Sequence, residues 1–90
     1  MDRVEEILAR MRRHPQGVRF DEVVAVCREF FGEPRQARGS HVVFRMPWPG
    51  DPRVNIQIGR GGHAKAYQVR QVLVAIDRVR REQSRREEST

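Results

Sequence analysis

Hydrophobic positions along the chain change period twice, and each change marks off a group of elements. Val4, Ile7, Leu8 and Met11 fall at i, i+3, i+4 and i+7, the stripe of an amphipathic helix within residues 2–14. Asp2 stands three residues before Glu5, the spacing of a capping box, and Pro15 and Gly17 close the helix. A second helix carries Val23, Val24, Cys27, Phe30 and Phe31 on one face, with Asp21 and Glu22 in its opening turn. Gly32 and Pro34 stop it. From Pro34 the period becomes two. A short edge strand is predicted over 35–38, ending at Gly39. Residues 41–46 then alternate, with Val42, Phe44 and Met46 facing inward and His41, Val43 and Arg45 outward. The run from Pro47 to Pro52 forbids regular pairing and predicts a hairpin loop. Residues 53–58 alternate again, with Val54, Ile56 and Ile58 inward and Arg53, Asn55 and Gln57 outward. Gly59-Arg60-Gly61-Gly62 reads as a flexible link to a last helix striped by Val69, Val72, Leu73, Ile76 and Val79. Beyond Arg81 the pattern dissolves, and residues 83–90 are expected to form a charged, frayed tail. The sum is one α+β domain spanning 1–90, with helices packed on one face of a three-stranded antiparallel sheet.

Composition narrows what such a domain does. The 90 residues hold 18 basic and 12 acidic side chains, a formal charge of +6, and Lys65 is the single lysine. Arginine suits planar, bidentate recognition of phosphate. A net charge of this sign leaves nucleic acid, an anionic membrane surface and an acidic protein open as partners. No apolar run approaches the ~20 residues of a membrane-spanning helix, and the charged N-terminus does not read as a secretory signal. The single cysteine, Cys27, excludes an intramolecular disulfide framework and a multi-cysteine zinc site, and it is expected to be a buried structural residue. Cytoplasmic residence is the expectation.

Proton-transfer chemistry near neutral pH calls first for histidine, and the chain has three. His14 falls in an interhelical turn, where solvent exposure is its plain reading. His63 lies beside glycines before the last helix, where a phosphate meets backbone N–H groups; an ordinary loop histidine fits equally well. His41 opens a strand directly after Gly39-Ser40, on the outward face. There it shares the sheet surface with Arg45 and, across the hairpin, with Arg53, Asn55 or Gln57. A proton-transfer group beside cationic and amide donors is what phosphodiester cleavage needs, although an exposed polar sheet face has the same pattern. No histidines lie at metal-ligand spacing, and Asp51 is the one carboxylate between 34 and 76, so no metal or other cofactor is expected. Gly59–Gly62 matches the GXXG loop of KH domains but leaves a strand rather than joining two helices, and the match is discounted. Trp48 either stacks on a base or folds back over the sheet edge. Arg70, Arg78, Arg80 and Arg81 on the last helix form a solvated face or a binding track.

Gly39-Ser40-His41-Val42-Val43-Phe44 resembles the G-S-H-x-x-F signature of the HicA toxin family. The order of elements around it matches too, over roughly Phe20 to Val79. The resemblance implies a double-stranded-RNA-binding-domain-like α-β-β-β-α fold for a core of residues 18–82, to which the helix within 2–14 is an addition. It implies an mRNA interferase: a ribosome-independent RNA endonuclease that is the toxin of a type II toxin–antitoxin pair, held inactive by a HicB-like antitoxin. It places the catalytic histidine on His41, with Gly39 and Ser40 completing the motif, and the family's basic segment on Arg60, His63 and Lys65. In that reading His41 is general acid or base, Ser40 orients the scissile group or shapes the turn, and Arg45, Arg53 and Lys65 neutralise phosphate. The partners are mRNA and the antitoxin, with no small-molecule cofactor and no membrane. The first helix, which the shortest family members lack, and the proline-rich loop depart from the family pattern. The competing reading is a non-catalytic, basic RNA-binding module of the same fold. A third is a protein-interaction domain whose basic face docks an acidic partner.

Overall fold

The computed structural model describes residues 2–51 and 53–89. Pro52 of the expected loop and Thr90 of the expected tail lie outside them. The first helix, α1, runs Arg3–Arg13 and buries Ile7, Leu8 and Met11. The Asp2 carboxylate caps it by accepting from the Val4 N–H at 3.0 Å. Glu5 does not complete the expected box: it accepts from Arg80 on the last helix at 2.7 Å. A single 3₁₀ turn, Pro15–Gly17, leads to α2, Phe20–Phe31, where Glu22 accepts from the Arg19 N–H at 3.1 Å. Val23, Val24, Val26 and Cys27 are buried, while Phe30 and Phe31 are half-buried at the edge of the core. Val26, which the expected stripe omitted, is fully buried because α2 is covered on several sides. It packs against α1, the last helix and two strands, so its apolar arc is wider than one face.

The sheet comprises β1 (Gln36–Arg38), β2 (His41–Phe44) and β3 (Val54–Gln57), antiparallel in the order β1-β2-β3. Gly39 and Ser40 form the two-residue turn between β1 and β2. Gly39 takes φ +55° and Ser40 has no positive φ, the type II′ pattern that glycine at the first central position permits. Both β2 and β3 are shorter than the alternation suggests. Arg45 and Met46 leave the ladder ahead of the proline-rich loop. Ile58, expected inward, is instead 42% exposed. Its N–H reaches the Ser40 carbonyl at 3.0 Å, so it lies past the last ladder pair, where β2 has already turned back into β1.

The glycine segment after β3 is an ordered turn rather than a flexible link. Arg60–Gly62 forms one 3₁₀ turn, and the Gly59 N–H donates to the His63 carbonyl at 2.6 Å. The Ala64 N–H then donates to the Val18 carbonyl at 2.9 Å, tying the turn to the start of α2. Gly62 has φ +79°, a left-handed conformation that strains any larger residue; a Cβ there would also meet the Arg19 guanidinium at 2.6 Å, though that flexible side-chain end can move aside.

The last helix, α3, spans Ala66–Ser89 and buries Val69, Val72, Ala75, Ile76 and Val79 against the sheet and the other helices. Below it lie Val42, Phe44, Val54 and Ile56, all buried, with the Phe31 and Phe44 rings 6.3 Å apart. The charged segment after Arg81 is helical through Ser89 rather than irregular. Its glutamates, arginines and glutamine are good helix formers, and Arg78 pairs with Glu82 one turn on at 3.1 Å. The result is α+β: three helices on one side of a three-stranded antiparallel sheet whose other side is open. Trp48 has folded back: it is 8% exposed, with the Arg78 guanidinium 4.3 Å above its ring.

Candidate functional site

Register decides which side chains share the open face of the sheet. His41 stands opposite Arg38 on one side and Gln57 on the other, and directly opposed residues project to the same face. The next row is Gln36, Val43 and Asn55. From that row Asn55 reaches diagonally to His41, its Oδ1 hydrogen-bonded to Nε2. With the Asn55 amide oxygen as the acceptor, Nε2 carries the proton and Nδ1 is the basic nitrogen; the flipped amide would reverse the two. His41 is half-buried: held by its neighbour yet open to a ligand.

Gln57 is fixed from two sides. Its backbone N–H donates to Oε1 of Gln68 at 2.8 Å, and Gln68 on α3 is only 6% exposed. Its side-chain Oε1 accepts from Lys65 Nζ at 3.2 Å, so the Gln57 amide NH2 is left to donate elsewhere beside His41. Lys65 is thereby drawn to the His41 face. Ser40 and Gly39 shape the tight turn before His41, with the Ser40 carbonyl engaged by Ile58. Arg60 and His63 belong to the turn after β3. His63 Nδ1 lies 3.3 Å from the Arg60 carbonyl oxygen, the His63 backbone bridges to Arg19, and neither residue hydrogen-bonds His41.

Arg45 and Arg53 mark the other end of the hairpin. With Arg35 they line a cleft of about 760 Å³ beneath the loop of residues 47–51, and Asn55 lines it too. Asn55 is therefore shared by the cleft and the His41 contact. Arg53 lies 3.9 Å from Asp51, with both side chains exposed. Among the described residues, Arg35, Arg38 and Arg45 make no ion pair. The charge sum explains why. Residues 34–76 contain seven of the 18 basic side chains but one of the 12 acidic ones, so the entire formal +6 resides in the sheet, its loops and the start of α3. Elsewhere the formal charges sum to zero, and several of the arginines are committed to carboxylates. Arg10 pairs bidentately with Glu22, Arg12 with Asp77 at 2.8 Å and Arg80 with Glu5 at 2.7 Å. The hydrogen bonds from Arg10 and Arg12 hold the Glu22 and Asp77 carboxyls below their ordinary values. A face of one sign opposite a neutral layer concentrates positive potential where His41 sits.

Other candidates fall away from this face. His14 is exposed in its turn. Cys27 is fully buried, and burial pushes its thiol well up from the ordinary value, which suppresses the reactive thiolate. Arg78 and Arg80 are committed to Trp48, Phe30 and carboxylates. Among the described residues no three His, Cys, Asp or Glu side chains are grouped to hold a metal, and no helix is long and apolar enough to cross a membrane.

Arg38, Gln68 and Arg35 are absent from the sequence reading of the site. Arg38 was legible: once Gly39-Ser40 is a two-residue turn, the residue before it must oppose the residue after it. Gln68 adjoins Val69 on the inner side of α3, a polar residue within an apolar stripe. Arg35 had no signal beyond its charge. No family model, curated protein or solved structure matches the chain.

Proposed function

We propose that this protein is a metal-independent RNA endonuclease, an mRNA interferase of the HicA type, with His41 as its general acid–base group. The observation that carries the reading is His41 anchored through Nε2 by Asn55, between Arg38 and the Gln57–Lys65 pair, on a face without carboxylates. Nδ1 accepts the proton of a ribose 2′-hydroxyl as that oxygen attacks the adjacent phosphorus. The P–O5′ bond breaks, the leaving 5′-oxygen takes a proton from water, and the product carries a 2′,3′-cyclic phosphate. In the reverse role, protonated Nδ1 donates to the leaving 5′-oxygen. Charge on the phosphorane oxygens is met by Arg38, Lys65 and the Gln57 amide. The G-S-H-x-x-F resemblance supplies the biological setting: a cytoplasmic toxin acting on mRNA. Its partner is a HicB-like antitoxin that covers the open sheet face and hides His41, drawn there by the charge imbalance.

His41→Ala tests this reading. Stability falls by no more than about 1 kcal/mol, the net worth of the one hydrogen bond to Asn55, RNA binding persists, and cleavage falls roughly a hundredfold or more. An RNA with a single 2′-deoxy substitution at the cleaved position resists the wild-type protein. A His41→Ala variant that folds, binds and cuts at the wild-type rate removes His41 from the mechanism. A wild-type protein that binds RNA and never cuts it is the non-catalytic module instead.

A further inference from the structure

We propose that the cleft beneath the 47–51 loop is a nucleotide subsite that seats one nucleotide of single-stranded RNA beside the phosphate presented to His41. The inference rests on the ribonuclease reading and adds to it a second binding element, with Arg35 as a new contact. The cleft, about 760 Å³, lies within the range of small-ligand sites. Three guanidinium-bearing residues line it, Arg35, Arg45 and Arg53, and no carboxylate does. The rest of its lining is mostly apolar, with Pro47, Trp48 and Pro49 on the loop side and Asn55 as its polar member.

A nucleotide combines the two chemistries this lining offers. Its phosphate takes guanidinium forks bidentately, and its base packs on an apolar or guanidinium plane. Entry requires a base turned out of its stack, which an unpaired strand provides and an A-form duplex does not. The wall is also preformed. Trp48 is buried under Arg78, and the same Arg78 donates to the Asp51 carbonyl at 3.2 Å, pinning both ends of the loop to α3. Little ordering is then left for binding to impose. Asn55 connects the two sites: it lines the cleft and holds His41, so a nucleotide seated there neighbours the reacting phosphate.

The chain has one tryptophan, and it stands in the cleft wall, so its fluorescence reports occupancy without any chemistry. Titration with uridine 5′-monophosphate is expected to give a saturable change in Trp48 emission. Arg35→Ala should weaken that binding roughly tenfold, the scale of one charge-assisted hydrogen bond. Arg13→Ala, an equal loss of charge on α1, should not. Arg35 is exposed, and alanine keeps its backbone bond to Val43, so the variant retains its fold. Inorganic phosphate should bind more weakly than the nucleotide. No saturable change, equal weakening by Arg13→Ala, or phosphate binding as tightly as the nucleotide overturns the subsite. Cleavage assays on the same proteins separate this from the parent reading. If His41-dependent cleavage occurs while Trp48 is silent to nucleotide, the subsite fails and the nuclease stands. If nucleotide binds through Arg35 but RNA is never cut, the nuclease fails and the subsite stands.

Discussion

On the helical side of the molecule Arg10, Arg12, Arg78 and Arg80 each face a carboxylate; around the sheet Arg35, Arg38 and Arg45 face none among the described residues. The residue type is the same and the net effect opposite. Paired arginines close the helical surface electrically, whereas unpaired ones leave the sheet able to take up an anionic ligand. The difference originates in the carboxylates, since residues 34–76 contain only Asp51. A count of arginines alone misses this. Stability and charge are also divided between the two regions: Ile7, Met11, Val23, Val26 and Cys27 on α1 and α2 are buried to 1% or less, while β1 is exposed throughout.

The sharpest way to break that division is to attack the core beneath the helices. Ile7→Ala removes a fully buried side chain from α1 and should cost about 2–5 kcal/mol by denaturant unfolding. Activity per folded molecule should be retained. A loss below ~0.5 kcal/mol, the range of surface substitutions, would show α1 to be an appendage to the 18–82 core rather than part of it. The mirror experiment is His41→Ala, described above, which should spare stability and remove cleavage. A smaller effect separates the two classes of arginine. RNA affinity should fall steeply with salt, and Arg38→Gln or Arg45→Gln should each lower the slope of log affinity against log salt by about one. Arg12→Gln, whose partner is Asp77, should leave the slope unchanged. Equal slopes for all three variants would dissolve the distinction.

The smallest expected effect concerns pH. Glu22 and Asp77 titrate below their unfolded values because Arg10 and Arg12 donate hydrogen bonds to the carboxylates. Their contribution is therefore complete above the ordinary carboxylate range, near pH 4, and is lost as pH falls through the lowered folded values. Asp77→Asn should flatten that part of the stability profile, within the ~1 kcal/mol ceiling of exposed pairs. A profile that is unchanged by Asp77→Asn would show the pair to be electrostatically idle.

Periodicity carried most of the fold. The stripe of α1 and the Val42/Phe44 and Val54/Ile56 alternation are local patterns, and each is seen where the sequence places it. Three features were not legible for reasons that lie outside local pattern. Val26 is buried because another helix covers a second side of α2. Ile58 is exposed because its neighbouring strand ends. The tail is helical because charged side chains with high helix propensity need no apolar stripe to extend an established helix. The site divides in the same way. His41 and its outward face follow from alternation, and the choice among Arg53, Asn55 and Gln57 as neighbours follows only from register. Gln57 lies opposite His41, Asn55 bonds it, and Arg53 belongs to the cleft.

The short strand β1 has one neighbour, β2, and all three of its residues are exposed. Its outer side is thus an unfilled template for another chain, the kind of edge through which sheets join into larger aggregates. Arg35 and Arg38 flank and end that strand, so two copies meeting edge to edge would bring like charges together. Resistance of this edge to pairing with a second copy is therefore linked to the charges on Arg35 and Arg38. Neutralising both arginines, or saturating them with a polyanion, should then favour self-association at high concentration, which light scattering would detect.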